Sequence, residues 1–194
     1  MVIGGSTESV RAARALAKER GLKLVLFGGD DLTIRRPNGK TVRASAYISG
    51  QYVFVRADHP DYTSDQLMRH EAGHDRIAKG EFDLGRVRQR LERIYGRGET
   101  AALAGQYESA YRESGLNAEE VWEEVVCDSL GDMNIFHGIP RLEERAQRLL
   151  DETRIAADAE LAANRTRGPP AEGAGWAVDK TSRDPLERRR ALRK

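Results

Sequence analysis

The chain has 194 residues, enough for one domain with a tail, and its 32 lysines and arginines nearly balance 31 aspartates and glutamates. The resulting net charge of +1 argues against a protein built mainly to hold nucleic acid, because such proteins usually carry a strong basic excess. A single cysteine, Cys127, excludes an internal disulfide framework and favours a reducing compartment.

The N-terminal third is predicted to contain one helix followed by short strands. Residues 6–20 carry an apolar stripe at helical spacing, and Gly21 follows as a stop signal. Four strands are expected at residues 23–27, 31–36, 41–48 and 51–56. Glycine-containing turns at residues 37–39 and 49–50 separate the later strands, which favours hairpin connections.

From residue 63 onward the pattern is helical. Thr63 and Gln66 have the spacing of a capping box, and the helix that they begin is expected to end near residue 79, before Gly80. Asn117, followed by Glu120, is predicted to cap a second important helix. The helix that begins after Thr63 is followed by four more expected helices, at residues 84–95, 100–114, 118–136 and 140–163, of which the third is the one capped by Asn117.

The last 30 residues differ in composition from the rest. Residues 165–194 hold nine basic and four acidic side chains, a net charge of +5, which leaves −4 for the remainder. Together with its glycines and prolines, this predicts a disordered basic tail after a folded domain of residues 1–164. A solvated tail is the simpler interpretation, and a weak contact of residues 188–190 with nucleic acid or an acidic partner is the alternative.

The hydropathy pattern predicts no membrane contact. No stretch approaches the roughly 20 apolar residues that cross a bilayer. The first residues also lack the basic segment and apolar core of a secretion signal. We therefore expect a cytoplasmic protein.

The informative segment is His70-Glu71-Ala72-Gly73-His74, inside a predicted helix. Histidines four residues apart lie one turn apart on the same face, so both imidazoles can reach one ion. Zinc accepts imidazole ligands and tolerates an open coordination position, although non-haem iron also accepts two histidines and a carboxylate. Glu71 is placed to act as a general base toward water. The alternative is an exposed helix that carries these residues without a metal.

A third ligand is needed, and the helix after Asn117 offers one. Glu124 and Asp128 are again one turn apart, and a carboxylate pair directed inward needs compensation such as a cation provides. We assign Glu124 as the third metal ligand and Asp128 as the acceptor for the outer N–H of His70. Glu123 or Glu120 would be the ligand if the helix were rotated.

The combination of His-Glu-x-x-His with a later Glu-x-x-x-Asp resembles the gluzincin, thermolysin-like branch of the zincin metallopeptidases. It is also similar to compact zincin-like domains of phage and mobile-element proteins, and distantly to the ImmA/IrrE family. The resemblance implies an α+β domain in which a small, mainly antiparallel, twisted sheet packs against the motif helix. It further implies Zn²⁺ held by His70, His74 and Glu124, with Glu71 as the catalytic base and Asp128 supporting a histidine. Glu124 follows His74 by 50 positions, which exceeds the usual separation in thermolysin-like enzymes.

Five other residues carry open interpretations. Cys127 is expected to be a small core residue rather than a thiolate ligand, and His59 to lie in a loop. His137 is either a helix-terminal residue or a proton donor. Tyr107 and Tyr111 share a helical face, where they either pack in the interior or offer a hydroxyl to an oxyanion.

The sequence therefore predicts a zinc-dependent metallopeptidase acting on a peptide or protein substrate. The strand at residues 51–56 is expected to accept an extended peptide along its edge. The helices between residues 84 and 114 are expected to act as a lid or a specificity wall. The alternative hypothesis is a non-catalytic zinc-binding or regulatory module of a phage or mobile-element protein.

Overall fold

The computed structural model describes residues 6–35, 39, 41–81, 83–111, 115–136 and 140–167, which form an α+β structure. The helices are α1 (Thr7–Glu19), α2 (Ser64–Ala78), α3 (Leu84–Tyr95), α4 (Arg97–Ala110), α5 (Ala118–Gly131) and α6 (Pro140–Arg167). The strands are β1 (Lys23–Phe27), β2 (Leu32–Arg35), β3 (Thr41–Ala44), β4 (Ala46–Ser49) and β5 (Tyr52–Arg56).

The predicted capping box at Thr63 and the predicted cap at Asn117 are confirmed, and the cap at Asn117 is also a full capping box. The Thr63 hydroxyl accepts the backbone N–H of Gln66, and the Gln66 side chain accepts the N–H of Thr63 at 3.0 Å. Asn117 and Glu120 make the same reciprocal bonds at the start of α5. Because each box satisfies otherwise unpaired N–H groups of the first turn, local sequence determines where the two most important helices begin.

The strands form two sheets rather than the single sheet that was expected. β1, β5 and β4 make a three-stranded sheet in that order, in which β5 pairs in parallel with β1 and antiparallel with β4. β2 and β3 pair only with each other among the described strands, as an antiparallel ribbon. Two of the three strand pairs are therefore antiparallel. β5 is the central strand and pairs on both sides, so the expectation that its edge accepts a peptide is wrong; β1 and β4 are the outer strands.

The predicted strand at residues 41–48 divides at Ser45. The Ser45 hydroxyl donates to Asp31 at 2.9 Å, and its carbonyl accepts the N–H of Arg56 at 2.8 Å. These bonds turn the backbone out of one ladder and into the other. A continuous apolar pattern does not reveal such a change of partner, because both halves remain extended.

The bounds of three helices also differ from the prediction. α4 begins at Arg97 and ends at Ala110 instead of spanning residues 100–114. α5 ends at Gly131 rather than near residue 136, because Asp132 adopts a left-handed conformation with φ 56°. The N–H of Met133 then bonds to the carbonyl of Asp128 at 2.9 Å, which closes the helix end. α6 continues to Arg167, past the predicted start of the tail at residue 165, and residues 168–194 lie outside the described part.

The interior consists of two buried clusters. The sheet-side cluster joins α1, the three-stranded sheet and α2 through Ala13, Ala17, Val53, Val55, Leu67, Met68, Ala72 and Met133. The helical cluster joins α3, α4, α5 and α6 through residues that include Val87, Leu91, Tyr107, Val125 and Leu150. Because α3 and α4 contribute side chains to this interior, they are packed core elements, and their role as a lid or a specificity wall stays a prediction. The α2–α5 contact joins the two clusters.

None of the helices in the described ranges combines the length and the apolarity that crossing a membrane requires.

Candidate metal centre

The two motif histidines lie on one face of α2, as predicted. Their side chains are largely buried, with 11% and 15% of His70 and His74 exposed. The Nε2 atoms of the two rings are 3.1 Å apart. One turn of helix therefore brings two nitrogen donors to one point.

Glu124 is brought to the same point by α5. Its Oε2 atom lies 3.4 Å from Nε2 of His70 and 3.6 Å from Nε2 of His74. In a tetrahedral zinc site with metal–ligand bonds of about 2.0–2.1 Å, neighbouring ligand atoms are about 3.3–3.4 Å apart. The three separations of 3.1, 3.4 and 3.6 Å bracket that value. The donor set His70, His74 and Glu124 thus has the chemistry and spacing to hold a divalent cation.

The outer ring nitrogens both face carboxylates of α5. Nδ1 of His70 lies 2.8 Å from Oδ1 of Asp128, the partner expected from the sequence. Nδ1 of His74 lies 2.8 Å from Oε1 of Glu123, which was considered only as an alternative ligand. A carboxylate at Nδ1 favours the tautomer that leaves Nε2 free for a metal. The adjacent glutamates therefore have different roles: Glu123 orients His74, and Glu124 faces the Nε2 atoms of both histidines.

Two glycines let α2 and α5 approach closely enough for this arrangement. A Cβ atom at Gly73 would lie 3.0 Å from Sγ and 3.3 Å from Cα of Cys127. A Cβ atom at Gly131 would lie 3.0 Å from the carbonyl oxygen of Gln66 and 3.2 Å from Cβ of His70. All four distances are tighter than those of ordinary packing, so neither position has room for a side chain unless its neighbours shift. The role of Gly73 and Gly131 in forming the site was not predicted from the sequence. The signal that could have indicated it is the position of each glycine on the helix face that contacts the other helix.

The electrostatics of the site favour a positive charge at its centre. Burial alone raises the pKa of a carboxyl group, but His74 and His70 outweigh it at Glu124 and hold the pKa of Glu124 well below its usual range. Burial alone lowers the pKa of an imidazole, but Asp128 and Glu124 outweigh it and hold the pKa of His70 well above its usual value. The surrounding carboxylates stabilise a cation in this place.

Glu71 and the donor set share one large cleft. Its volume is about 1180 Å³, and Glu71, His70, His74 and Glu124 all line it. The Glu71 side chain is itself 6% exposed. Residues 42–52, which include β4, complete the walls together with residues 20–22 after α1, Tyr111 after α4 and part of α5. The volume exceeds the range of about 300–1,000 Å³ that is usual for small-ligand pockets. We call this space the cleft below.

The structure places the other candidate residues in different environments. Tyr107 is fully buried with its ring 5.4 Å from that of Phe136, so it is a packing residue, whereas Tyr111 lines the cleft. Burial, followed by Asp128 and Glu124, raises the pKa of Tyr111 well above its usual value, so its hydroxyl keeps its proton and can donate. Cys127 is buried, as predicted, and burial raises the pKa of its thiol.

The two remaining histidines have different outcomes. His59 lies outside the helices and strands, as predicted, and its Nδ1 accepts the N–H groups of Asp61 and Tyr62 at 3.1 Å each. It also lines the cleft, which its loop position did not indicate. His137 lies outside the described residues.

Comparisons with protein-family models, curated proteins and solved structures find no match for this chain. The functional argument therefore depends on the geometry of the site and the chemistry of its residues.

We expect Asp128→Asn and Glu123→Gln each to weaken zinc binding by about 10–100-fold, because each removes the charge that orients and polarises one ligand histidine. Competition between the protein and a chromophoric chelator measures this affinity. Asp132→Asn is the matched control, since Asp132 follows the same helix but caps its end, where asparagine also tolerates the left-handed conformation. Unchanged zinc affinity in both Asp128→Asn and Glu123→Gln would contradict the assignment of these carboxylates as partners of the outer ring nitrogens.

Proposed function

We propose that this chain is a zinc-dependent metallopeptidase with a zincin-like, gluzincin-type centre. The observation that carries the proposal is the convergence of two imidazole nitrogens and one carboxylate oxygen within 3.1–3.6 Å of one another. Glu71 lines the same cleft, so the set combines ligands with a general base. A site that served only to stabilise the fold would need no base beside its ligands.

The proposed reaction is hydrolysis of a peptide bond. His70, His74 and Glu124 would hold a zinc ion, which would supply a Lewis acid for water and for the peptide carbonyl. The Glu71 carboxylate takes a proton from water as the water oxygen bonds to the carbonyl carbon. The same carboxyl group returns that proton to the nitrogen as the carbon–nitrogen bond breaks. Tyr111 is the candidate donor to the developing oxyanion, because its protonated hydroxyl belongs to a cleft-lining side chain.

The substrate is proposed to bind as an extended strand along β4. β4 is one of the two outer strands of its sheet, and all four of its residues line the cleft, whereas the residues of β1 do not. An extended peptide adds to such an edge through main-chain hydrogen bonds. This replaces β5, which the sequence favoured, with its neighbour in the sheet.

Peptide cleavage by the full chain, loaded with zinc and then stripped with a chelator, tests the function. We expect mass spectrometry of a mixed peptide pool to show hydrolysis products with zinc, loss of them after chelation, and recovery when zinc is restored. The pool is also incubated with zinc alone as a control for uncatalysed cleavage. A chain that binds one zinc ion per molecule at full occupancy yet hydrolyses no peptide would overturn the proposal and favour the non-catalytic module.

A further inference from the structure

The β2–β3 ribbon has one apolar face and one polar face. Its register pairs Ile34 with Val42 and Leu32 with Ala44. These four side chains are half-buried, whereas the alternating residues Thr33, Arg35, Thr41 and Arg43 are exposed. Strict alternation of this kind is typical of a strand pair that covers something on one side.

The apolar face is directed to the cleft rather than to either buried cluster. Ile34, Val42 and Ala44 line the cleft together with the metal-binding set. The sheet-side and helical clusters are built from other elements. Leu116 and Ile135 add apolar surface to the same space. The cleft thus combines a polar centre on α2 and α5 with apolar walls.

The base of the ribbon is held by a small polar network. Nη1 of Arg56 and the hydroxyl of Ser45 each donate to Oδ1 of Asp31 at 2.9 Å. Arg56 is the last residue of β5, so this network ties the ribbon to the central strand of the sheet. The ribbon therefore keeps a defined orientation beside the cleft.

Several charged residues that line the cleft have close partners within the chain, whereas Arg43, on the exposed face of the ribbon, is 66% exposed and lies 3.9 Å from Asp30. Arg20 and Lys79 pair with Asp75 at 2.7 and 2.8 Å. Glu120 accepts the backbone N–H of Asn117 at 2.8 Å as part of its capping box. A charged side chain of a substrate would have to compete with these pairs, whereas an apolar side chain would displace water from Ile34 and Val42.

We propose that Ile34 and Val42 are specificity-determining residues that select a peptide with a large apolar side chain close to the scissile bond. This inference rests on the proposed peptidase function and deepens it. Contact with the apolar face of the ribbon buries an apolar side chain of the substrate. This burial favours binding of such a peptide over one with a charged side chain at the same position by roughly tenfold to hundredfold.

The test compares neighbouring residues on opposite faces of β3. Val42→Asp places a charge on the cleft-facing side, and Thr41→Asp places the same charge on the exposed side. Binding is measured on zinc-loaded Glu71→Gln protein with two short fluorescent peptides, identical except for phenylalanine or aspartate at the centre. We expect Val42→Asp to weaken binding of the phenylalanine peptide at least tenfold, and Thr41→Asp to leave it within about twofold.

Further variants separate specificity from folding. Val42→Ile is expected to retain the preference, and Val42→Ala to reduce it while the circular dichroism spectrum and zinc affinity stay unchanged. The inference would be overturned if the protein that retains Val42 bound both peptides equally well. It would also be overturned if Val42→Asp and Thr41→Asp weakened binding of the phenylalanine peptide equally. The protein could bind the phenylalanine peptide selectively through Val42, and yet the parent chain, which retains Glu71, could fail to cleave that peptide. This result would overturn the peptidase function alone. Cleavage without any preference would overturn the ribbon proposal alone.

Discussion

Glu71→Gln is expected to lower the turnover number for peptide cleavage by about 10²–10⁴-fold while zinc occupancy stays the same. Glutamine preserves the size of the side chain and its hydrogen-bonding atoms, but it cannot take a proton from water or return one to the leaving nitrogen. Because Glu71 is outside the donor set His70, His74 and Glu124, the metal should remain bound. Steady-state cleavage and metal analysis on the same preparation measure the two quantities together.

Glu120→Gln is the matched control for this substitution. Glu120 also lines the cleft, and glutamine can keep the capping box at the start of α5. We expect its turnover number to remain within about threefold of the parent, since Glu120 has no proposed part in proton transfer. If Glu71→Gln cleaved as fast as the parent at equal zinc occupancy, another group would have to be the base.

Glu124→Gln is expected to weaken zinc binding by roughly 100- to 1000-fold. Structural zinc sites with four ligands bind with about 10–16 kcal/mol, so one ligand contributes about 2.5–4 kcal/mol. The substitution also removes the negative charge that the facing histidines stabilise at this position, where they hold the pKa of Glu124 well below its usual range. Chelator competition on the full chain measures the change, and cleavage should recover when excess zinc restores occupancy.

The neighbouring glutamates provide a graded comparison for the metal affinity. Glu120→Gln should leave zinc affinity unchanged, Glu123→Gln should lower it moderately through His74, and Glu124→Gln should lower it most. This order follows from the contacts, because Glu123 faces the outer nitrogen of His74 and Glu124 faces both inner nitrogens. A larger loss at Glu123 than at Glu124 would show that the helix presents the other carboxylate to the metal.

Features that depend on neighbouring residues in the chain were well predicted. The capping boxes at Thr63 and Asn117 are present because each uses side chains only three residues apart. His70 and His74 converge because helical geometry places residues four apart on one face. The contact of Asp128 with His70 was also expected, since it follows from the same one-turn spacing once Glu124 faces inward.

Features that depend on distant partners were predicted less well. The division of residues 41–48 at Ser45 and the central position of β5 are decided by which strands pair. Local apolar patterning is the same for an edge strand and its neighbour, so it does not distinguish them. The left-handed end of α5 at Asp132 was likewise missed, because a non-glycine residue gives only a weak signal for that conformation.

By itself, the sequence determined the α+β composition, the starts of α2 and α5, and a set of candidate metal-ligating side chains on two helices. Only the tertiary structure decided that Glu124 meets both histidines while Glu123 supports His74. That choice depends on the rotation and distance of α5 relative to α2, which the contacts of Gly73 and Gly131 permit. Helical periodicity defines the angle between residues on one helix, but the orientation of two helices arises from packing of side chains far apart in the chain.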